Sequence, residues 1–318
     1  YHHIEPNCDP LGPKNIIGFI PGLLTGSMAP MTGRYIVCAK SPLTGKGKTE
    51  KESTGGWGNA NSGGNFGPAI RKAGFDGIFI KGIAEHPTYL YINNGEIQFL
   101  EAENLWGLDT VQTEKELKEI HGKRVKTASI GPAGEHLSLI SGIVNDEGRI
   151  AARSGLGAVM GSKKLKALCV EGRHRVEFAN RDKMIELTKD YNKQIKKRLS
   201  HKLLNKTIAM ADRAAPLLRL SGMGVGGNGN FNAMLLTATF GGAALGTTAA
   251  NVMSSQNGDS PVKNFKGVGY KDYPMKKAMN LRGKKLKSHM EQQYGCFACP
   301  VRCGAILTYD DLPYKDKK

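Results

Sequence analysis

Up to about residue 175 the apolar residues come in short, glycine-bounded runs rather than at helical intervals. NIIGFIPG (15–22), GRYIVCAK (33–40), DGIFIKG (76–82), RVKTASIG (124–131) and LKALCVEG (165–172) each have strand length and β-branched or aromatic content. TYLYINNGEIQFL (88–100) alternates in character on either side of Asn-Asn-Gly, which predicts a hairpin. DTVQTEKELKEIHG (109–122) predicts a surface helix closed by Gly122. Past residue 175 the pattern changes. NRDKMIELTKDYNKQIKKRLSHKLL (180–204) has helical spacing and good helix formers, with Asn180 as its N-cap. SGMGVGGNGNFN (221–232) reads as a glycine-rich loop. The expected organisation is a β-rich domain over 1–175 and a mainly helical region over 176–318, an α+β class.

One unit occurs twice within the first part. NSGGNFGPAIRKAGFDGIFIKG (61–82) and RSGLGAVMGSKKLKALCVEG (153–172) both run from a Ser-Gly loop into a short helix and then an apolar strand. A glycine loop entering a helix presents free backbone N–H groups, which suit phosphate. The plainer alternative is that the glycines only permit tight turns. Neither unit matches a P-loop or a G-x-G-x-x-G after a strand. The repetition, with Arg34, Arg149 and Arg153 near the loops in sequence, favours anion binding, by one ligand with two phosphates or by two ligands side by side.

Composition narrows the classes. The chain of 318 residues is 40% hydrophobic, enough for a real core and against general disorder. No apolar run approaches the roughly 18 residues of a membrane span, and YHHIEPNCDP at the start has no export-signal pattern. The six cysteines are too few for a disulfide scaffold and point to a reducing, cytoplasmic setting. The formal charge is +17, concentrated in NKQIKKRLSHKLLNK (192–206) and KKAMNLRGKKLK (276–287). Such tracts are solvated helix faces, nucleic-acid contacts or docking sites for an acidic protein partner. No aromatic-rich basic strand, helix-turn-helix or zinc-finger spacing supports nucleic acid.

Cys38 and Cys169 lie in apolar strand-like runs and read as core thiols. Cys296, Cys299 and Cys303 differ: CFACPVRCG spaces them C-x2-C-x3-C. Three readings compete. An iron–sulfur cluster takes thiolates from one short loop. Zinc with His289 as the nitrogen ligand requires a spacing found in no common zinc module. A buried helix face is opposed by Pro300 and Gly304.

Five segments occur in order that together resemble one family. They are DPLGPKNIIGFIPGLLTGSMAPMTGRYIVCAKSPLTG, NANSGGNFGPAIRKAGFDGIFIKG, ASIGPAGEHLSLISGIVNDEGRIAARSGLGAVMGSKKLKALCVEG, SPVKNFKG and CFACPVRCG. The family is that of the aldehyde ferredoxin oxidoreductases, tungsten enzymes that include a benzoyl-coenzyme A reductase branch. The resemblance implies a tungsten bis-molybdopterin cofactor, a bridging Mg2+ and a [4Fe-4S] cluster. It implies an N-terminal base of two β-sheets for the pterins, followed by helical domains. Carried over motif by motif, Arg34 contacts one pterin phosphate, Asn61 reaches the magnesium site and Gly63 offers backbone to a pterin. Arg149 pairs with the other pterin, the Ile150 carbonyl faces magnesium, and Ala152, where the family often has glycine, gives a backbone contact. Cys296, Cys299 and Cys303 match the first three cluster ligands. The implied fourth cysteine and the acid–base residues fall beyond residue 318, so no catalytic residue is assigned. KGKTEKESTGGWG (46–58) departs from the family as an insertion. The implied activity interconverts an aldehyde and a carboxylic acid, or alternatively reduces an aromatic acyl-coenzyme A. Ferredoxin or an iron–sulfur subunit is the implied electron partner, within a homo- or hetero-oligomer.

Overall fold

The computed structural model describes residues 3–44, 55–199, 251–257, 260–267 and 269–309. The glycine-rich stretch at 221–232, the lysine tract from residue 200 onward and most of the 46–58 segment lie outside the described residues. The chain divides into two compact units, one of Tyr1–Ile185 with Cys296–Ala298, the other of Glu186–Gly295 with Cys299–Lys318.

Two sheets build the first unit. Strands β1 (Ile17–Pro21), β2 (Tyr35–Ser41), β3 (Gly56–Ser62) and β4 (Ile78–Ile80) form an antiparallel sheet in the order β3-β2-β1-β4. A six-stranded sheet contains β5 (Thr88–Asn93), β6 (Glu96–Glu101), β7 (Lys126–Ser129), β8 (Ile143–Asn145), β9 (Arg149–Ala151) and β10 (Leu165–Glu171), ordered β6-β5-β10-β7-β8-β9. Its β5–β10 pair is parallel and its other pairs antiparallel. The β5–β6 hairpin turns on Asn94 (φ 48°) and Gly95 (φ 93°), the left-handed pair that a two-residue turn of matching twist requires.

The main core draws on both sheets and on two short helices, α1 (Phe66–Lys72) and the helix of the second repeated unit. Ile17, Phe19, Tyr35 and Val37 from the smaller sheet join Leu90, Ile92, Ile143 and Leu168 from the larger. Helix α2 (Thr110–His121) covers the opposite side of the large sheet. There Leu117 packs with Tyr89, Val125, Ala167 and Cys169. The Asp109 carboxylate accepts from Val111 and Gln112 N–H at 2.9 and 2.8 Å, while Gln112 reaches back to the Asp109 N–H, a reciprocal cap that fixes where α2 begins. Two elements complete the unit's helices: α3 (Pro132–Glu135) and α4 (Leu156–Ser162). Strand β10 is buried on both faces, which explains its mostly apolar run. Of its two charged residues, Lys166 is fully buried and forms a 2.5 Å ion pair with Glu135, completed by the Leu108 carbonyl at 2.8 Å, while Glu171 at the strand's end pairs with Arg124 at 3.1 Å.

The cysteines expected in the core are there. Cys169 is fully buried, and burial pushes its thiol up to about 12. Few thiolates form at such a site, and only the thiolate is nucleophilic. Iodoacetamide at about pH 8 should therefore leave Cys169 unmodified in the native protein and label it fully in denaturant. Equal native and denatured labelling by peptide mapping would contradict this packing.

Helix α5 (Arg181–Leu199) begins where the sequence places it, with the Asn180 side chain accepting from Lys183 N–H at 2.9 Å. The second unit contains the short helices α6 (Asn251–Asn257), α7 (Gly269–Asp272), α8 (Met275–Ala278) and α9 (Gly283–Lys287). It also holds an antiparallel pair, β11 (Met290–Tyr294) and β12 (Gly304–Leu307).

Candidate functional site

Strands β3 and β9 are the outer strands of their sheets, and these two edges touch. Side chains on β3 alternate, so that Trp57, Asn59 and Asn61 face outward while Ala60 and Ser62 are buried. Asn61 lies opposite Ile36, and Tyr35 opposite Ser62. Arg34, immediately before β2, is exposed and donates from Nη1 to Asn61 Oδ1. The two residues predicted for one pterin and the magnesium site therefore touch.

Behind this exposed pair lies a hub the sequence reading missed. Asn145, at the end of β8, is fully buried. Its Oδ1 accepts from the Tyr35 hydroxyl at 3.0 Å and Ser62 Oγ at 2.7 Å. Its Nδ2 donates to the Gly63 carbonyl and to Asp146 Oδ2, both at 2.9 Å. Asp146 Oδ2 also accepts the Asn65 N–H at 2.5 Å. Burial, reinforced by the Asp146 carboxylate, pushes the Tyr35 hydroxyl far above its usual range, so it remains a donor. Asp146 (φ 48°) and Glu147 (φ 60°) form the tight turn into β9. The buried Glu114 carboxylate anchors that turn, accepting the Glu147 N–H at 2.9 Å while paired with Lys118 at 2.7 Å. The Asn-Asp-Glu-Gly string was the available signal for this turn, since Asn, Asp and Gly tolerate left-handed backbone.

On the facing edge, Arg149 starts β9 opposite Asn145 and is half-buried; Ile150 is 45% exposed, and Ala152 just beyond the strand is exposed. Ser154 stitches the two edges: its carbonyl accepts from Ser41 Oγ at 2.8 Å, and its Oγ lies 3.4 Å from the Asn59 carbonyl.

The first predicted cluster cysteine belongs to the same unit. An alanine methyl at Gly63 would lie 2.7 Å from Cys296 Sγ, closer than carbon and sulfur approach without bonding. At Gly33 it would lie 2.6 Å from the Gly64 carbonyl oxygen and 2.9 Å from the Phe297 nitrogen. Phe297 N–H donates to the Gly64 carbonyl at 3.1 Å, Met31 N–H to the Ala298 carbonyl at 2.9 Å, and the Lys72 ammonium sits 4.8 Å from the Phe297 ring centroid. Segment 296–298 is thus docked on the two glycine loops of the smaller sheet. Only residues without side chains allow so close an approach.

Cys299 and Cys303 are half-buried and belong to the second unit. No helix runs through 296–303, which excludes the helix-face reading of the three thiols. The ring of His289, the nitrogen ligand of the zinc reading, stacks on Tyr309 at 4.7 Å. Among the described residues no three His, Cys, Asp or Glu side chains converge as a metal-binding group.

The family model "Aldehyde ferredoxin oxidoreductase, N-terminal domain" matches residues 1–172, and that of domains 2 and 3 matches residues 233–317. The chain belongs to the aldehyde ferredoxin oxidoreductase family. Its relatives in this oxidoreductase family include the tungsten-containing aldehyde ferredoxin oxidoreductase of Pyrococcus abyssi, 36% identical over 304 residues, which cover 95% of this chain and 42% of the relative. The enzyme of the same name from Thermococcus kodakarensis is 35% identical over 306 residues, with coverages of 95% and 42%. Among solved structures, the active-site complex of benzoyl-coenzyme A reductase with 1,5-dienoyl-CoA superposes with a TM-score of 0.70 at 25% identity, over 98% of this chain and 42% of that one. The chain thus spans less than half the length of these relatives. The two-sheet unit and its β3–β9 seam fall within the stretch matched by the N-terminal family domain. Among the described residues, no helix is long and apolar enough to cross a membrane.

Proposed function

We propose that the complete protein is a tungsten-dependent oxidoreductase that interconverts aldehydes and carboxylic acids and exchanges electrons with ferredoxin or an iron–sulfur partner subunit. The observation carrying this reading is the seating of Cys296 Sγ against Gly63, which puts a cluster-type thiol on the loop that continues from Asn61. The donor chemistry suits the implied groups. Arg34 is exposed and bonded to Asn61 of one edge strand, and Arg149 stands on the other edge, each able to bind a phosphate by charge-assisted hydrogen bonds. The Asn61 amide and the Ile150 carbonyl are oxygen donors of the kind Mg2+ prefers. Gly63 and Ala152 offer backbone, and Cys296, Cys299 and Cys303 would hold three corners of a [4Fe-4S] cluster. On this reading residues 1–175 are the pterin base, and 176–318 carry the cluster motif.

When bound, the tungsten–pterin group would supply two-electron redox chemistry, and a cluster held by the cysteines would supply one-electron transfer. Overall, the aldehyde carbon gains oxygen from water and releases two electrons and two protons. The chain's own residues position these groups: the arginines anchor phosphates, and the Asn145 hub holds the loop from Ser62 to Asn65.

Metal analysis of the complete protein should find tungsten and iron together with pterin; the absence of both tungsten and molybdenum would sink the reading. Arg34→Ala and Arg149→Ala should each lower pterin content several-fold while leaving the circular dichroism of the sheets intact. Unchanged occupancy in both variants counts against the phosphate roles. A second reading, reduction of an aromatic acyl-coenzyme A, is favoured by the superposition on the benzoyl-coenzyme A reductase complex over 98% of the chain. Parallel dye-linked assays with an aldehyde and with a dienoyl-CoA separate the two.

A further inference from the structure

Away from the seam, the first unit contains a cavity of about 360 Å³ beside the entrance to β10, lined among others by Ile80, Ile83, Thr88, Phe99, Lys163 and Leu165. No acidic residue lines it. Its mouth is unusually apolar for a surface: Phe99 is 68% exposed and Ile83 is 43% exposed. Lys163, by contrast, is 2% exposed. Its ammonium donates to the Asn15 carbonyl at 2.6 Å and the Gly82 carbonyl at 3.1 Å, and it makes no ion pair among the described residues. Two carbonyl dipoles use two of its three donors without neutralising its charge. Burial of a cation without a counterion is costly, and here it lowers the amine to about 8, against a smaller opposing effect of Cys8, the titratable group facing it. Exposed Lys81 adds a second positive charge to the lining.

We propose that this cavity binds a small monocarboxylate with an apolar tail, its carboxylate paired with the Lys163 ammonium and its tail lying against Leu165, Ile80, Ile83 and Phe99. A buried cation at an acid-free, hydrophobic opening selects a ligand with one negative charge and an otherwise apolar body. The tail explains the exposed Phe99 and Ile83, which nothing else in the first unit covers among the described residues. The site is separate from the β3–β9 seam and does not depend on the tungsten reading.

Calorimetric titration of the full-length protein with octanoate tests it, with 1-octanol and octylamine as probes of equal tail length. Octanoate should bind saturably at about pH 7, the other two at least tenfold more weakly. Affinity should fall as pH rises well above the Lys163 value, because the neutral amine no longer pairs with a carboxylate. Lys163→Met should cost octanoate at least tenfold and leave 1-octanol unchanged. Because that variant also loses two carbonyl contacts, Phe99→Glu provides a safer check: the side chain is exposed, so the fold should persist, while a carboxylate at the mouth should weaken octanoate about tenfold and octylamine not at all. Absence of saturable octanoate binding, equal binding of octanoate and 1-octanol, or full octanoate affinity in folded Phe99→Glu would each overturn the proposal.

Discussion

Replacing Gly63 with alanine should strip most of the iron from the protein while leaving it folded. The added methyl would stand 2.7 Å from Cys296 Sγ. Gly63 is not in the left-handed region, so its backbone accepts an L side chain and the only conflict is the contact. A cysteine thiol ends a side chain with one torsion, so rotating Cys296 away relieves the clash without moving the sheet. The stability cost should be about 1 kcal/mol, at the low end for overpacking, but the thiol would be displaced from where a cluster ligand must stand. Gly33→Ala should behave differently. There the methyl meets the Gly64 carbonyl and the Phe297 nitrogen, which are backbone atoms, so the docked segment 296–298 must lift and both iron and stability should fall. Gly148→Ala is the control, since nothing lies within 4 Å of the added carbon. It should be neutral to within about 0.5 kcal/mol. Iron per chain, low-temperature EPR of the reduced protein and thermal unfolding read all three. Wild-type iron and EPR in a folded Gly63→Ala protein would show that Cys296 is not a ligand in this position.

The largest stability loss should come from Asn145→Ala. Truncation leaves the Tyr35 hydroxyl, Ser62 Oγ, the Gly63 carbonyl and Asp146 without the partner that joins them. Buried groups left unsatisfied cost about 1–3 kcal/mol each. Some will find one another or water, so about 3–5 kcal/mol is expected, or roughly 10 °C in Tm for a unit of this size. Asn145→Asp separates hydrogen bonding from shape. Its carboxylate would face the Gly63 carbonyl and the Asp146 carboxylate with no proton to donate, and both the burial and the like charge raise its pKa above the unfolded value of about 3.9. The unfolded state then loses the proton at lower pH than the folded state. The destabilisation is therefore full at neutral pH and relieved as pH falls through the raised value, where the protonated group can again donate. A Tm deficit relative to wild type that does not shrink on acidification would show that the amide merely fills space.

The sequence carried the elements whose local rules are strong. Asn-Gly fixed the β5–β6 hairpin, Asp109 and Gly122 bounded α2, Asn180 began α5, and mostly apolar content marked β10. It did not show β3, because Gly-Trp-Gly-Asn-Ala-Asn-Ser is poor in strand formers; pairing with β2 along its whole length holds it in place. Strands β8 and β9 are three residues each, too short for any period to register. The β11–β12 pair was hidden by the polar Glu-Gln-Gln run, which has little strand-forming or alternating apolar content. Among the site residues, the family motifs named Arg34, Asn61, Gly63, Arg149, Ile150 and Ala152, but no local pattern says that two sheet edges will meet beside them. Asn145 was invisible for the same reason: its partners come from β2, β3 and the loop after β3, joined only by the fold.

The position of β10 has a consequence for the order in which the chain can acquire its structure. The strand lies between β5 and β7, pairing with the first in parallel and the second antiparallel. Strands β5 to β9 are synthesised first, yet the middle of their sheet stays vacant until Leu165–Glu171 leaves the ribosome. Until then the inward edges of β5 and β7 are unpaired templates for other chains. Pairings between segments far apart in sequence are slow to form, and species with open edges are prone to aggregate. Cys296 arrives later still, so the glycine loops that receive it are finished before the thiol exists. A ribosome stalled just before β10 should therefore display a protease-sensitive chain, and one stalled some tens of residues after it, allowing for the exit tunnel, a protected unit with bare loops on which assembly of the metal centre can begin.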